Sequence, residues 1–265
     1  MNAEAYFTAA IVFLNGLVIG SYLNVAIHRI PNGETTFRNR SKCPRCGAGI
    51  FWYDNIPVLS FIILKGKCRA CGRPISWRYP VVELLTAFLF VAVFYHLYSA
   101  TPDFFTPGSL LTLAAYLYFG SLMLAAAFID AAHRIIPNRI TYPALVIGPL
   151  LLLFADVSRW RGILLGAVIG GGFLFIISLL KRDGMGGGDV KLGLVMGVFL
   201  GSPVVVALFF GSLLGAVYGL TLVAAKKRSI KDTLSFGPFL ALGALVTFLW
   251  GTPILNWYLG LTGLS

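Results

Sequence analysis

Ala9-Ala-Ile-Val-Phe-Leu-Asn-Gly-Leu-Val-Ile-Gly-Ser-Tyr-Leu-Asn-Val-Ala-Ile27 is a run of 19 residues with no formal charge, closed by His28-Arg29. At about 1.5 Å per residue, a helix of that length covers the roughly 30 Å of a bilayer's hydrocarbon core. With the first run extended to 5–28, similar stretches recur near 81–99, 109–129, 142–155, 161–180, 189–201, 204–225 and 237–258. Composition agrees: of 265 residues, 58% are hydrophobic and 12% charged, about half the charged fraction of an average soluble domain. A water-soluble globule, a disordered chain and a secreted disulfide scaffold are excluded. The predicted fold is an all-α polytopic membrane protein of about eight transmembrane helices. The first Lys or Arg is Arg29. The N-terminus therefore lacks the basic region of a cleavable signal peptide, and the first run reads as a true span.

A net charge of +11 would suit a nucleic-acid partner, but the placement of the charges argues against one. The connections 29–79, 130–141, 181–188 (with Lys191 just beyond) and 226–236 hold 19 of the 21 Lys and Arg. The remaining connections hold only Arg159 and Arg161, beside Asp103 and Asp156. The positive-inside rule puts the basic loops in the cytoplasm and both termini outside. The expected partner of the charge is the lipid surface, not nucleic acid. Glycines four apart add organisation: Gly162, Gly166 and Gly170, then Gly193, Gly197 and Gly201, then Gly211, Gly215 and Gly219. Such stripes let helix backbones approach closely in lipid and predict a tight bundle in the second half.

All four cysteines fall in the loop 29–79, as Cys43-Pro-Arg-Cys46-Gly and Cys68-Arg-Ala-Cys71-Gly. The 21 residues between the pairs lie one outside the usual structural-zinc spacing. Four thiolates with no open position suit a structural tetrahedral zinc, with iron or free redox thiols as the other readings. A disulfide is disfavoured on the reducing cytoplasmic side. The glycine after each pair permits the turn that points two thiolates at one ion.

With only ten acidic residues, their positions are informative. Asp130 ends the apolar span Ser121-Leu-Met-Leu-Ala-Ala-Ala-Phe-Ile-Asp130, and Asp189 follows Gly184-Met-Gly-Gly-Gly188. In the inferred topology both lie at the cytoplasmic level, where ionisable groups tend to mark function. Two such carboxylates brought together can share one proton and activate water. Helix ends suggest Asp189, at an N-terminus, as base and Asp130, at a C-terminus, as proton donor. Gly186 and Gly188 would let an extended substrate backbone approach. The residues alone leave other readings open: an interfacial Asp130 beside a helix-capping Asp189, or a proton relay in a transporter.

Several motifs resemble one family. In the first half they are Gly20-Ser-Tyr-Leu-Asn24-Val-Ala-Ile-His-Arg29-Ile-Pro31, the double C-x-x-C with Gly66-Lys67-Cys68, and Ile75-Ser-Trp-Arg78-Tyr79-Pro80-Val-Val-Glu83. In the second they are Phe128-Ile-Asp130, Ile136-Pro137-Asn138, and Gly186-Gly-Gly188-Asp189-Val-Lys191. Together they are similar to the type IV prepilin peptidases, bifunctional leader peptidases and N-methyltransferases among the GxGD intramembrane aspartyl proteases. The resemblance implies cleavage of a short basic leader from prepilins and pseudopilins, after glycine, at the cytoplasmic face of the bacterial inner membrane. It also implies methylation of the new N-terminal residue with S-adenosylmethionine. By position, Asp130 and Asp189 inherit the protease roles, while Gly66, Lys67 and Glu83 are associated with methyl transfer. The expected organisation is a first transmembrane helix (1–28), a zinc-binding and methyltransferase loop (29–79), and a helical bundle with the aspartyl site (80–265). A peptidase lacking methyl transfer is the alternative, and the cysteine loop counts against it.

Overall fold

A computed structural model describes residues 3–36, 41–180, 186–227 and 234–262, with the side chains of Thr252 and Thr262 excepted. Gly184 and Met185 of the glycine run, with several basic residues of the predicted cytoplasmic loops, lie outside these residues. The helices are α1 (Ala3–Arg29), α2 (Leu59–Ile63), α3 (Arg78–Ala100), α4 (Pro107–His133), α5 (Asn138–Ala155), α6 (Trp160–Leu180), α7 (Gly187–Leu200), α8 (Val204–Ala224) and α9 (Gly237–Thr262). Each of the eight predicted apolar stretches is a helix. Six of them, α1, α3, α4, α5, α6 and α8, are long and apolar enough to cross a bilayer, and α9 makes a seventh if its two bent halves count as one span. The bend of 74° lies at Gly251–Pro253, where proline removes a helix hydrogen bond. With 14 residues, α7 reaches only about 21 Å. The chain is a multi-pass helical membrane protein, but length alone does not make α7 a full crossing.

The chain forms two compact units, Met1–Phe104 and Phe105–Ser265. In the first, α1 packs along α3 through glycine. A Cβ on Gly16 would lie 2.5 Å from Ala87 Cα, and one on Gly20 2.6 Å from Glu83 Cα. Only a bare backbone permits this approach. Asn24 reinforces the pair, its Nδ2 donating to Tyr79 O (3.0 Å). The loop between these helices holds the 3₁₀ turn Trp52–Asn55 and α2. The Arg69 guanidinium forks onto Asp54 at 2.7 and 2.8 Å and holds that carboxyl below its usual range.

The second unit is built on two glycine seams. Cβ atoms on Gly166 and Gly197 would each meet the other's carbonyl oxygen, at 2.1 and 2.0 Å, and Gly170 and Gly193 repeat the contact at 2.3 and 2.6 Å. Two of the three stripes therefore form one seam, α6 against α7. The third faces α9, where a Cβ on Gly211 would meet Leu240 Cα at 3.1 Å and one on Gly243 would meet Ala207 O at 2.4 Å. Gly162, by contrast, faces open space. Around α7 the core closes with Met123, Leu192, Val195, Met196 and Leu240 fully buried. Phe119 stacks on Phe199 at 4.8 Å between centroids, and Tyr116 Oη donates to Phe199 O (3.0 Å). A short helix sheathed in this way is a fixed platform for whatever its first turn carries.

Candidate active site and cysteine cluster

Asp130 occupies the last turn of α4 and is 5% exposed. Arg134 ends the helix in the left-handed region (φ 56°), donating its N–H to Asp130 O at 2.8 Å. The chain then turns through Ile136 and Pro137 into α5. On its side chain, Asp130 Oδ2 accepts two hydrogen bonds, from Ser235 Oγ (2.5 Å) and from Gly237 N–H (2.8 Å). Gly237 opens α9, so the carboxylate takes one of that helix's otherwise unpaired N-terminal donors. With Oδ2 committed as a double acceptor, Oδ1 is the atom left for exchange chemistry.

Asp189 lies in the first turn of α7, its N–H donating to Gly186 O at 3.0 Å. Its carboxyl is close enough to Asp130 to interact with it electrostatically. The two acids singled out in the sequence, 59 residues apart, are thus brought together. Lys191 holds the neighbouring elements in place, its Nζ donating to Asn138 Oδ1 (2.7 Å) and lying 5.1 Å from the centre of the Tyr142 ring. This joins the motif after Asp130 to the motif containing Asp189. The two glycines of the run differ. Among the described residues, a Cβ on Gly186 would have only Asp189 Oδ2 (3.7 Å) and Gly188 N (3.9 Å) within 4 Å. The bare face of Gly188 is covered by Ile136, whose Cβ would be 3.0 Å away. The backbone of Gly188 thus packs directly against Ile136.

Ser235 and Gly237 were not singled out in the sequence. A signal was present: Ser235-Phe-Gly237-Pro238 combines a helix-starting serine with a proline in the first turn.

In the first unit the sulfur atoms of Cys43, Cys46, Cys68 and Cys71 all lie within 4.8 Å of one another. Zn–S bonds of about 2.3 Å set tetrahedral sulfurs roughly 3.8 Å apart, so the four cysteines lie close together in an arrangement compatible with zinc. The two halves fold alike. Cys43 N–H donates to Ala48 O (2.8 Å) and Gly47 N–H to Cys43 O (2.9 Å); Cys68 N–H donates to Arg73 O (2.9 Å) and Gly72 N–H to Cys68 O (2.8 Å). Gly47 and Gly72 sit at φ 73° and 69°, the left-handed region that the knuckle turn requires. Backbone N–H groups of Arg45 and then Cys46 draw the Cys43 thiol down to about 7; Cys46, stabilised by the Ala48 backbone but crowded by the Cys43 sulfur, is pushed up to about 11, so the two sulfurs titrate as a pair.

The remaining candidates separate into two places. Glu83, 7% exposed, accepts from Val58 N–H at 2.7 Å and lines a cavity with Asn24 and Arg78. Gly66 and Lys67 line a second, apolar groove.

Fold and site together describe a helical membrane protein with paired acids at helix ends and a four-cysteine loop. Residues 14–97 match the bacterial peptidase A24 N-terminal domain, and residues 117–220 match the type IV leader peptidase family. The chain is 36% identical over 251 residues to the prepilin leader peptidase/N-methyltransferase of Bacillus subtilis, covering 94% of this chain and 97% of that protein. The likewise named protein of Aeromonas salmonicida is 36% identical over 283 residues (94% and 93% covered), and that of Pseudomonas aeruginosa 32% over 279 (94% and 93%). No solved structure matches the chain significantly. The chain belongs to the prepilin leader peptidase/N-methyltransferase family and is an enzyme.

Proposed function

We propose that the chain cleaves the short basic leader of type IV prepilins and pseudopilins after a glycine, using Asp130 and Asp189 as a dyad, and then methylates the new N-terminus. The observation that carries the dyad is the pairing of two acids on separate helices, one held at Oδ2 by Ser235 and Gly237. Amide hydrolysis needs a base to take a proton from water and an acid to give one to the leaving amine. A carboxyl pair sharing one proton supplies both, and the titration belongs to the pair. Whichever member holds the proton at rest, Asp130 exchanges it through Oδ1, its other oxygen being occupied. Gly186 leaves room beside Asp189 for the extended scissile segment.

The basic loops support a bacterial inner-membrane setting of eight crossings, both termini periplasmic and the acids at the cytoplasmic face. A basic leader is drawn to the same anionic headgroups as those loops, each basic residue gaining about 1 kcal/mol near the surface. Residues 29–79 would serve methyl transfer and 80–265 proteolysis. Zinc, held by Cys43, Cys46, Cys68 and Cys71, would close the loop as a structural ion. S-adenosylmethionine would supply the methyl group, and Gly66, Lys67 and Glu83 would shape the sites that use it.

The test is to incubate purified enzyme with a synthetic prepilin and S-adenosylmethionine and read both masses. Leader loss followed by a gain of one methyl group is expected. Asp130→Asn and Asp189→Asn should each abolish cleavage while an already trimmed pilin is still methylated. Cleavage near the wild-type rate in either variant sinks the dyad. A trimmed product that never gains the methyl mass would instead favour a peptidase acting alone.

A further inference from the structure

The short helix α2 is built inside out. Leu59, Ile62 and Ile63, at i, i+3 and i+4 on one face, are 49%, 64% and 63% exposed. Ser60 is the residue turned inward: it is 7% exposed, with its hydroxyl donating to Ile56 O (2.6 Å). A helix lying against a core in water shows the opposite arrangement. The spanning helices also expose apolar side chains, and there the bilayer covers them. On a loop, an outward apolar face asks for a neighbour of its own.

That face leads into a groove of about 630 Å³, where Ile62 meets Trp77 and Leu84. Leu84 lies in the second turn of α3, one of the helices long and apolar enough to cross a bilayer. Leu85 and Phe88 are exposed along the same helix. Trp77 is exposed and immediately precedes α3, the station that aromatic side chains favour at a membrane–water boundary. The groove therefore lies where α3 enters the bilayer, within reach of an acyl chain.

Its charge is of one sign. Among the described residues Lys65 and Lys67 line the groove and no acid does, and neither lysine forms a salt bridge. The backbone puts them there. After α2 the chain reverses through Lys65 and Gly66 in the left-handed region (φ 50° and 66°), with Gly66 N–H donating to Phe61 O at 2.8 Å. Lys67 is then pinned by a bridge to Pro74, which also lines the groove. An extended peptide would need partners for its own N–H and C=O groups. Apart from the lysines, only Trp77 brings a hydrogen-bonding side chain here, and Pro74 and Pro80 bring no N–H. A matching ligand has an anionic head for the lysines and an apolar tail for Ile62, Trp77 and Leu84.

We propose that this groove holds an anionic phospholipid of the leaflet into which α3 runs, its phosphate between Lys65 and Lys67 and an acyl chain against Ile62, Trp77 and Leu84. The apolar face of α2 then lies in the plane of the membrane surface. Lys67 directly precedes Cys68, so the lipid ties the four-cysteine cluster to the bilayer. The proposal stands whichever reaction the loop serves.

The experiment uses the full chain in nanodiscs of phosphatidylcholine containing phosphatidylglycerol. Trp77 is made the sole reporter by Trp52→Phe, Trp160→Phe, Trp250→Phe and Trp257→Phe, with the thermal midpoint as the fold check. Bromines on an acyl chain quench a tryptophan that they touch, and they are placed on one lipid or the other. Brominated phosphatidylglycerol should reach half-maximal quenching at a mole fraction at least tenfold below that of brominated phosphatidylcholine. Each basic residue near an anionic surface strengthens attraction about fivefold, so Lys65→Gln with Lys67→Gln should erase the preference. Ile62→Asn, on an exposed face, should weaken quenching by both lipids. The unsubstituted chain gives an independent check: released from the mixed nanodiscs for native mass spectrometry, it should retain phosphatidylglycerol over phosphatidylcholine. Equal quenching and equal retention of the two lipids overturn the proposal, as does a preference that survives loss of both lysines. Trp77 untouched by either lipid but shielded from aqueous iodide on adding trimmed pilin would make the groove a substrate site and overturn it too.

Discussion

Asp130 gains its character from residues more than 100 positions away. Its Oδ2 is held by Ser235 Oγ and Gly237 N–H, and a hydrogen bond to a charged group is worth about 1.5–3 kcal/mol. Ser235→Ala should lower kcat for leader cleavage by about tenfold to a hundredfold at nearly constant KM, since it disturbs aim rather than substrate binding. Gly237→Ala should do worse, because its Cβ would sit 2.8 Å from the same oxygen. Single-turnover cleavage rates check both. The two aspartates were legible in the sequence because acids are scarce in so apolar a chain and each stands at the end of an apolar run. Ser235 was not, since a serine in a polar loop looks like any other until the fold brings it to the acid. The close approach of Ile136 to Gly188 was not legible either, because it joins two segments that only the fold brings together.

At the scale of elements, the glycine stripes announced close packing but not the pairing of α6 with α7. A stripe marks a flat face, and only the folded chain shows which other face it meets. Gly197→Ala would force a Cβ to within 2.0 Å of Gly166 O, a backbone atom with no rotamer to escape into. Overpacking typically costs about 1–3 kcal/mol, so a lower thermal midpoint and slower cleavage are expected, through displacement of α7 and Asp189. Scanning calorimetry in detergent checks the first and a cleavage assay the second. The clustering of the four cysteines was readable, because C-x-x-C-G carries both the thiols and the left-handed turn, whereas the 3₁₀ turn and α2 between the pairs were not. The loop has few fully buried apolar side chains, so the ion would hold it together. Chelation should release the metal and open 43–74 to limited proteolysis, and restoring zinc should reverse the change. Digestion unchanged by chelator would remove the metal's structural role. The bounds of α7 were legible, 189–201 from the sequence against Gly187–Leu200 in the structure, but whether so short a helix crosses the bilayer was not, because a short buried helix and a spanning one share the same apolar composition.

At the scale of the molecule, the chain divides into two compact units. The first unit holds the four cysteines, Gly66, Lys67 and Glu83; the second holds Asp130 and Asp189. If cleavage and methyl transfer are carried separately, a chain defective in one should be rescued by a chain defective in the other, because the trimmed pilin can diffuse in the bilayer between them. Vesicles containing both Asp189→Asn and Cys43→Ser chains should convert prepilin to the trimmed, methylated product. Neither variant alone should do so: the first should leave the leader on, and the second should stop at the unmethylated mass. The mixture should show a lag in the methylated mass that shortens as total enzyme per vesicle rises, the signature of an intermediate passing between molecules. A mixture that stalls at the trimmed mass, while Asp189→Asn alone still methylates added trimmed pilin, would mean that the substrate is retained by one chain through both reactions.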